Sequence, residues 1–330
     1  MNVAIYSTHN FEKAYLERAN DGEHNFKYIT SRLSSETTHF AEGCEAVSIF
    51  VNDDASAPIL QLLNKMGIKF IALRSAGFNH VDISEAKKLD IKVARVAEYS
   101  PFAVAEHSVA LMLALNRKLI RANNRVMEQN FSLDGLVGFD MNGKTVGIIG
   151  TGKIGSVAAK ILHGFGCRIL AHDQIEQEEL KQKYNVIYTS YETLFEQSDI
   201  ITLHVPLSEK TKHIINKNSI QLMKPEVMLI NTSRGKLVNT KHVINALKSG
   251  QLGSFGMDVY EEEEGLFFED HSEDILQDDT IVRLMSFRNV LITSHQGFLT
   301  DTALKNIAET TVTNLNCFAK SDDNKNEIKI

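Results

Sequence analysis

The chain has no tryptophan, only 4 prolines and only 3 cysteines in 330 residues. The cysteines, Cys44, Cys167 and Cys317, are odd in number and far apart, which speaks against a disulfide framework and for free thiols in a reducing compartment. No apolar run approaches the ~20 residues of a membrane span. The opening MNVAIYSTHN also lacks the basic end and long apolar core of a signal peptide, so a cytoplasmic location is expected. A basic excess is missing too: 35 Lys and Arg against 42 Asp and Glu leave a formal net charge of −7, unsuited to nucleic acid. The 12 histidines show neither HExxH nor Cys/His ligand spacing, so no metal is expected.

What remains is an ordinary α/β composition, 43% hydrophobic and 23% charged, long enough for two domains. Short apolar strands alternate with helix-length segments. Strands are expected at Val3–Ser7, Ala46–Val51, Phe70–Arg74, Lys92–Val96, Thr145–Gly150, Arg168–His172, Ile200–His204, Val227–Asn231, Ser254–Asp258 and Val290–Thr293. That alternation implies parallel sheets of right-handed βαβ units, and too many strands for one sheet. Ser100–Pro101 opens a mostly apolar helix, with Ser as N-cap and Pro at the first helical position. A final amphipathic helix, Asp301–Ala319, returns to the first domain, and the polar tail SDDNKNEIKI is expected to fray or lie on the surface.

The stretch VGIIGTGKIG reads as strand, glycine turn and helix start. Gly150 and Gly152 make the turn, Gly155 lets the helix approach the sheet, and the helix N-terminus favours a pyrophosphate. Asp173, at the end of the next strand, can accept both ribose hydroxyls and would repel a 2′-phosphate, so NAD is favoured over NADP. His172 beside it could soften that discrimination. The expected fold is therefore α/β, with two Rossmann-like or flavodoxin-like parallel-sheet domains and a cleft between them. Residues 1–100 plus 300–330 form the substrate domain and 101–299 the NAD-binding domain.

Three later segments stand at strand ends, where open parallel sheets bind ligands: Asn231-Thr-Ser-Arg-Gly235, Gly256-Met-Asp-Val-Tyr-Glu-Glu-Glu-Glu264 and Thr293-Ser-His-Gln-Gly297. Singly, each has an ordinary explanation as a surface ion pair, a solvated acidic face or a loop cap. Together behind a dinucleotide turn they supply what reduction of a 2-keto acid needs. A guanidinium grips the carboxylate, an imidazole delivers a proton, and a carboxylate keeps that imidazole charged.

The segments IFVNDD, IALRSAGFNHVD, YSPFAVAEH, GKTVGIIGTGKIG, DIITLHVPL, LINTSRGKLV, GMDVYE, GLFFED and SHQGFLT resemble the D-2-hydroxyacid dehydrogenase family over nearly the whole chain. The last of them, with FSLDGLVGFDMNGKT, resemble its fermentative bacterial D-lactate dehydrogenase branch in particular. The resemblance implies NADH-dependent, reversible reduction of pyruvate to D-lactate, with Arg234 binding substrate, His295 as acid/base and Glu263 supporting it. Glu263 stands five residues after Asp258, and the poly-Glu run leaves Glu262 or Glu264 as alternatives. Backbone around Ser75, Ala76, Gly77 and Phe78 would hold the carboxylate, and Tyr99 and Phe298 would line the pocket. Lys153 and Ile154 would sit at the pyrophosphate, Val205 and Pro206 near adenosine, and Thr232 and Asp258 near the nicotinamide ribose and carboxamide, with Thr211 and Ser233 as further cofactor contacts. Family resemblance and the apolar helix from Ser100 imply a homo-oligomer, dimer or tetramer. Two alternatives stay open: the same chemistry on another D-2-hydroxy acid, or a dinucleotide-sensing binding protein.

Overall fold

A computed structural model describes residues 1–329 and divides into two compact units. The first comprises Met1–Ser100 and the segment beginning at Leu299. Its five parallel strands are β1 (Asn2–Ile5), β2 (Asn25–Tyr28), β3 (Ala46–Ile49), β4 (Phe70–Leu73) and β5 (Lys92–Ala94), in the order β2-β1-β3-β4-β5. The period of two in these strands sends side chains to opposite faces. Ala4, Val47, Ile71 and Val93 join one apolar cluster, while Val3, Ile5, Ala46 and Ala72 join another with Ala308 and Leu315 of the helix Asp301–Lys320. That helix starts where the Thr300 hydroxyl accepts from the Ala303 amide.

Of the two expectations for the tail, it lies on the surface, with most of its residues exposed. It is tied to the sheet rather than frayed. Glu327 forms an antiparallel bridge with Ala94, the Ile328 amide donates to the Val93 carbonyl at 2.8 Å, and the Arg95 amide donates to the Asn326 carbonyl at 3.1 Å. The reason is an edge: β5 has one side without a neighbouring strand, and the tail satisfies backbone groups there while Ile328 packs on the core.

The second unit, Pro101–Phe298, holds seven parallel strands. They are β6 (Thr145–Ile149), β7 (Arg168–His172), β8 (Ile187–Tyr188), β9 (Ile200–Leu203), β10 (Val227–Asn231), β11 (Leu252–Met257) and β12 (Val290–Ile292). Their order is β12-β11-β10-β9-β6-β7-β8. Strand growth reverses between β6 and β9, which makes that gap the topological switch point where such sheets bind nucleotides. The helix Pro101–Asn116 buries Val104, Val109, Leu111 and Met112, packing on the helix Lys153–Gly164 and on β11 of its own unit. Apolar surface is instead exposed on the next helix, Leu119–Met127, and the stretch after it: Met127 is 77% exposed, Phe131 73%, Leu133 78% and Val137 84%. No helix among the described residues is long and apolar enough to cross a membrane.

Candidate active site

The strand ends of the second unit lie level. Pairing runs His172↔Ile149, Ile149↔Leu203, Leu203↔Asn231, Asn231↔Met257 and Met257↔Ile292. Every loop that the sequence marked in this unit therefore leaves the sheet on one edge, the glycine turn and Asp173 toward one end and Arg234, Glu263 and His295 toward the other.

At the turn, Gly150 has φ +95°, and a Cβ there would fall 2.5 Å from the His204 carbonyl oxygen. A Cβ on Gly155 would strike the Gly150 carbonyl at 1.9 Å, so only glycine brings the helix Lys153–Gly164 this close to the turn. At Gly152 a Cβ would meet nothing within 4 Å, which leaves the helix N-terminus open to a ligand. Asp173 accepts from the Thr151 amide (2.5 Å), the Thr151 hydroxyl (3.2 Å) and the Ile175 amide (3.2 Å). Burial raises its carboxyl, but these hydrogen bonds outweigh burial and hold it below the usual carboxylate range. His172 is occupied elsewhere: Nδ1 meets the Thr189 carbonyl at 2.8 Å and the ring lies 3.7 Å from that of Tyr191.

Beyond β9, the Thr211 hydroxyl donates to the Pro206 carbonyl at 2.7 Å and so closes the Val205–Thr211 loop on itself. His204 hydrogen-bonds Thr202 through Nε2, while its buried Nδ1 has no partner among the described residues; burial lowers its pKa to about 4. The Thr232 hydroxyl, just past β10, is likewise buried without a partner among the described residues. A glycine cradle, a ribose-ready carboxylate and an orphaned hydroxyl along one edge fit a dinucleotide.

Arg234 follows β10 in a turn fixed from both sides. The Ser233 hydroxyl donates to the Leu203 carbonyl at 2.7 Å, and the Asn231 amide group to the Arg234 carbonyl at 2.9 Å. The guanidinium donates to the Ser233 carbonyl and, among the described residues, has no carboxylate partner although it is half-buried. His295 sits three residues past β12 at φ +50°, held by its own amide donating to the Asp258 carbonyl at 2.7 Å. Its Nδ1 is 3.0 Å from Glu263 Oε1, while Glu263 Oε2 accepts from the Tyr260 amide at 3.1 Å. Of the four glutamates, then, 263 is the one on the imidazole; 262 and 264 are exposed. Glu261 serves differently, meeting His213 Nε2 at 2.6 Å and the Thr240 amide at 2.8 Å.

Asp258, expected near the nicotinamide, spends its carboxylate on the His295 loop. It accepts from the Thr293 hydroxyl (2.6 Å) and the Gln296 and Gly297 amides (both 2.8 Å). His107 Nε2, from the helix Pro101–Asn116, approaches the same carboxylate at 3.3 Å and Thr293 at 3.0 Å. Burial raises the Asp258 carboxyl, but bonds from His107 and Thr293 prevail and keep it ionised below the usual range. His107 escaped the sequence reading; its one signal was a histidine inside an apolar helix. Phe298 is buried at the end of this loop.

In the first unit, the Ser75–Phe78 loop follows β4 and the buried Arg74, whose guanidinium pairs with Glu12 at 2.9 Å. The amides of Ala76, Gly77 and Phe78 meet no acceptor among the described residues. Successive free N–H groups of this kind form an anion-binding concavity. Tyr99 is half-buried, its carbonyl accepting from Asn306.

The model of the NAD-binding domain of D-isomer-specific 2-hydroxyacid dehydrogenases matches residues 109–297. The D-lactate dehydrogenase of Escherichia coli K12 is 48% identical over 329 residues, 99% of this chain and 100% of that one. The solved pyruvate reductase of Chlamydomonas reinhardtii superposes with a TM-score of 0.94 at 42% identity, covering 99% of this chain and 98% of the other. The D-lactate dehydrogenase of Aquifex aeolicus, solved with NAD and lactic acid, gives a TM-score of 0.87 at 37% identity, covering 97% and 96%. With a family model over more than half its length and relatives of this identity over nearly all of it, the chain belongs to the NAD-dependent D-isomer-specific 2-hydroxyacid dehydrogenases.

Proposed function

We propose that this enzyme catalyses the reversible NADH-dependent reduction of pyruvate to D-lactate, with His295 as the acid/base. The observation that carries the reading is the Glu263–His295 pair at 3.0 Å, on a strand edge shared with an arginine that lacks a carboxylate partner among the described residues. Arg234 binds the substrate carboxylate and polarises the carbonyl. With Nδ1 on Glu263, His295 presents Nε2 as the nitrogen that donates a proton to the carbonyl oxygen, and Glu263 stabilises the charged ring beforehand. Bound NADH supplies the hydride that adds to the carbonyl carbon.

The amides of the Ser75–Phe78 loop hold the carboxylate, and Tyr99 and Phe298 contact the methyl end of the substrate. Gly150, Gly152, Lys153, Ile154 and Gly155 take the pyrophosphate, and Asp173 the adenine ribose. Val205, Pro206 and Thr211 lie on the adenosine side, and Thr232, Ser233 and Asp258 at the nicotinamide end. Three free thiols suit a reducing cytoplasm. The exposed apolar residues from Leu119 to Val137 support a homo-oligomer, dimer or tetramer.

A panel of 2-keto acids with NADH and NADPH tests the assignment. Pyruvate with NADH should give the highest kcat/KM; a branched or phosphorylated keto acid in its place would refute the choice of substrate. Removing the guanidinium by Arg234→Gln strands the substrate carboxylate, worth about 3–5 kcal/mol, or roughly 10²–10⁴ in kcat/KM. A variant altered only in NADH affinity would contradict the role of Arg234.

A further inference from the structure

The Ser75–Phe78 loop works only if its amides point the right way, and their direction is set through the carbonyls. A trans peptide is planar, so fixing a C=O fixes the N–H across the same bond. The carbonyls of Ser75, Ala76 and Gly77, which precede the three amides, are all held. The Val96 amide donates to the Ser75 carbonyl at 3.0 Å, which orients the Ala76 N–H. The Arg95 guanidinium donates to the Ala76 carbonyl at 3.1 Å, which orients the Gly77 N–H. The Ser75 hydroxyl donates to the Gly77 carbonyl at 2.7 Å, which orients the Phe78 N–H. Arg95 also stacks on the Phe78 ring, 5.2 Å from its centroid.

Arg95 is itself anchored by the C-terminal tail. Its amide donates to the Asn326 carbonyl, and its carbonyl accepts from Asn314 at 3.1 Å. The Asn326 side chain closes the triangle by donating to Asn314 at 2.9 Å. The flanking Ala94–Glu327 bridge and the Ile328–Val93 bond hold the tail in place.

We propose that Arg95 is a positioning residue for substrate binding, and that the C-terminal tail is the strap holding it, so that residues 324–328 tune the affinity for the 2-keto carboxylate from outside the catalytic set. The inference rests on the reading of Ser75–Phe78 as the carboxylate-holding loop. Loss of the Arg95 contact frees the Ala76–Gly77 peptide to rotate. That weakens binding alike in ground state and transition state, which raises KM and spares kcat.

The test is steady-state kinetics on the full-length enzyme with pyruvate and NADH, alongside NADH binding by fluorescence. Arg95→Met, which keeps the stem, and Ile328→Pro, which removes the tail's donor to Val93, should each raise the pyruvate KM about tenfold, the worth of one net hydrogen bond. The kcat and the NADH dissociation constant should stay within about twofold, and Arg95→Lys should recover part of the loss. Gly77→Pro, which deletes one of the proposed donors, separates the two layers. If it raises KM while Arg95→Met does not, the strap is wrong and the loop reading stands. If neither changes KM, both fall. Should Ile328→Pro fail to fold, Arg95→Met decides.

Discussion

His204 shows how one buried side chain ties stability to pH. Its folded pKa, about 4, lies below the ordinary 6.5, because burial penalises the charged ring. The unfolded chain thus takes up a proton below pH 6.5 that the folded chain refuses. The stability contributed by neutral His204 is present above pH 6.5 and drains away as pH falls toward 4, by up to roughly 3 kcal/mol. Denaturant unfolding at stepped pH should show this fall in the parent and a shallower one in His204→Gln; equal slopes would contradict it. Glu263 sits at the same scale. Glu263→Gln keeps the shape and removes the charge that stabilises the protonated ring, so kcat should fall on the order of 10²-fold with NADH affinity retained. An unchanged kcat would remove Glu263 from the mechanism.

At the scale of elements, three loops of the second unit are joined by one carboxylate. Glu261 meets His213, which stands just past the Val205–Thr211 loop, and the Thr240 amide, which opens the helix Thr240–Ser249 after the Arg234 turn. A Cβ on Gly235 would lie 2.0 Å from the Tyr260 backbone, so the turn and the acidic loop are in direct contact. Glu261→Ala leaves the Thr240 donor and His213 without their acceptor, and should cost about 1–3 kcal/mol of stability. Exposed Glu262→Ala should stay within about 0.5 kcal/mol. Equal melting temperatures for the two would show that the clasp holds nothing. The family's spacing from Asp258 favoured Glu263 but left Glu262 and Glu264 open, and it is the contact with His295 that separates them; the task of Glu261 was not legible, because its partners are 21 and 48 residues away in sequence. The same limit hid β2 and β8. Both are sheet-edge strands, NFKY and IY, without the continuous apolar run that marks a strand buried on both faces. The docking of the tail was hidden for a related reason: seven polar residues precede Ile328, whose packing site only the sheet edge defines.

At the scale of the whole molecule, the alternation of strands and helices was enough to read two parallel-sheet α/β domains, since parallel strands leave long apolar runs. The surface was harder to read. The apolar helix from Ser100, expected to meet a partner, is packed within its own unit, and the uncovered apolar residues lie just after it. If the proposed oligomer assembles through these residues, Phe131→Glu with Met127→Glu shifts the mass in light scattering to that of a monomer. An unchanged mass would contradict the proposed interface. Purified enzyme given pyruvate and NADH should consume the two in equal amounts and yield lactate of the D configuration alone, as chiral chromatography would show. L-lactate, or NADH left unconsumed, would contradict the account.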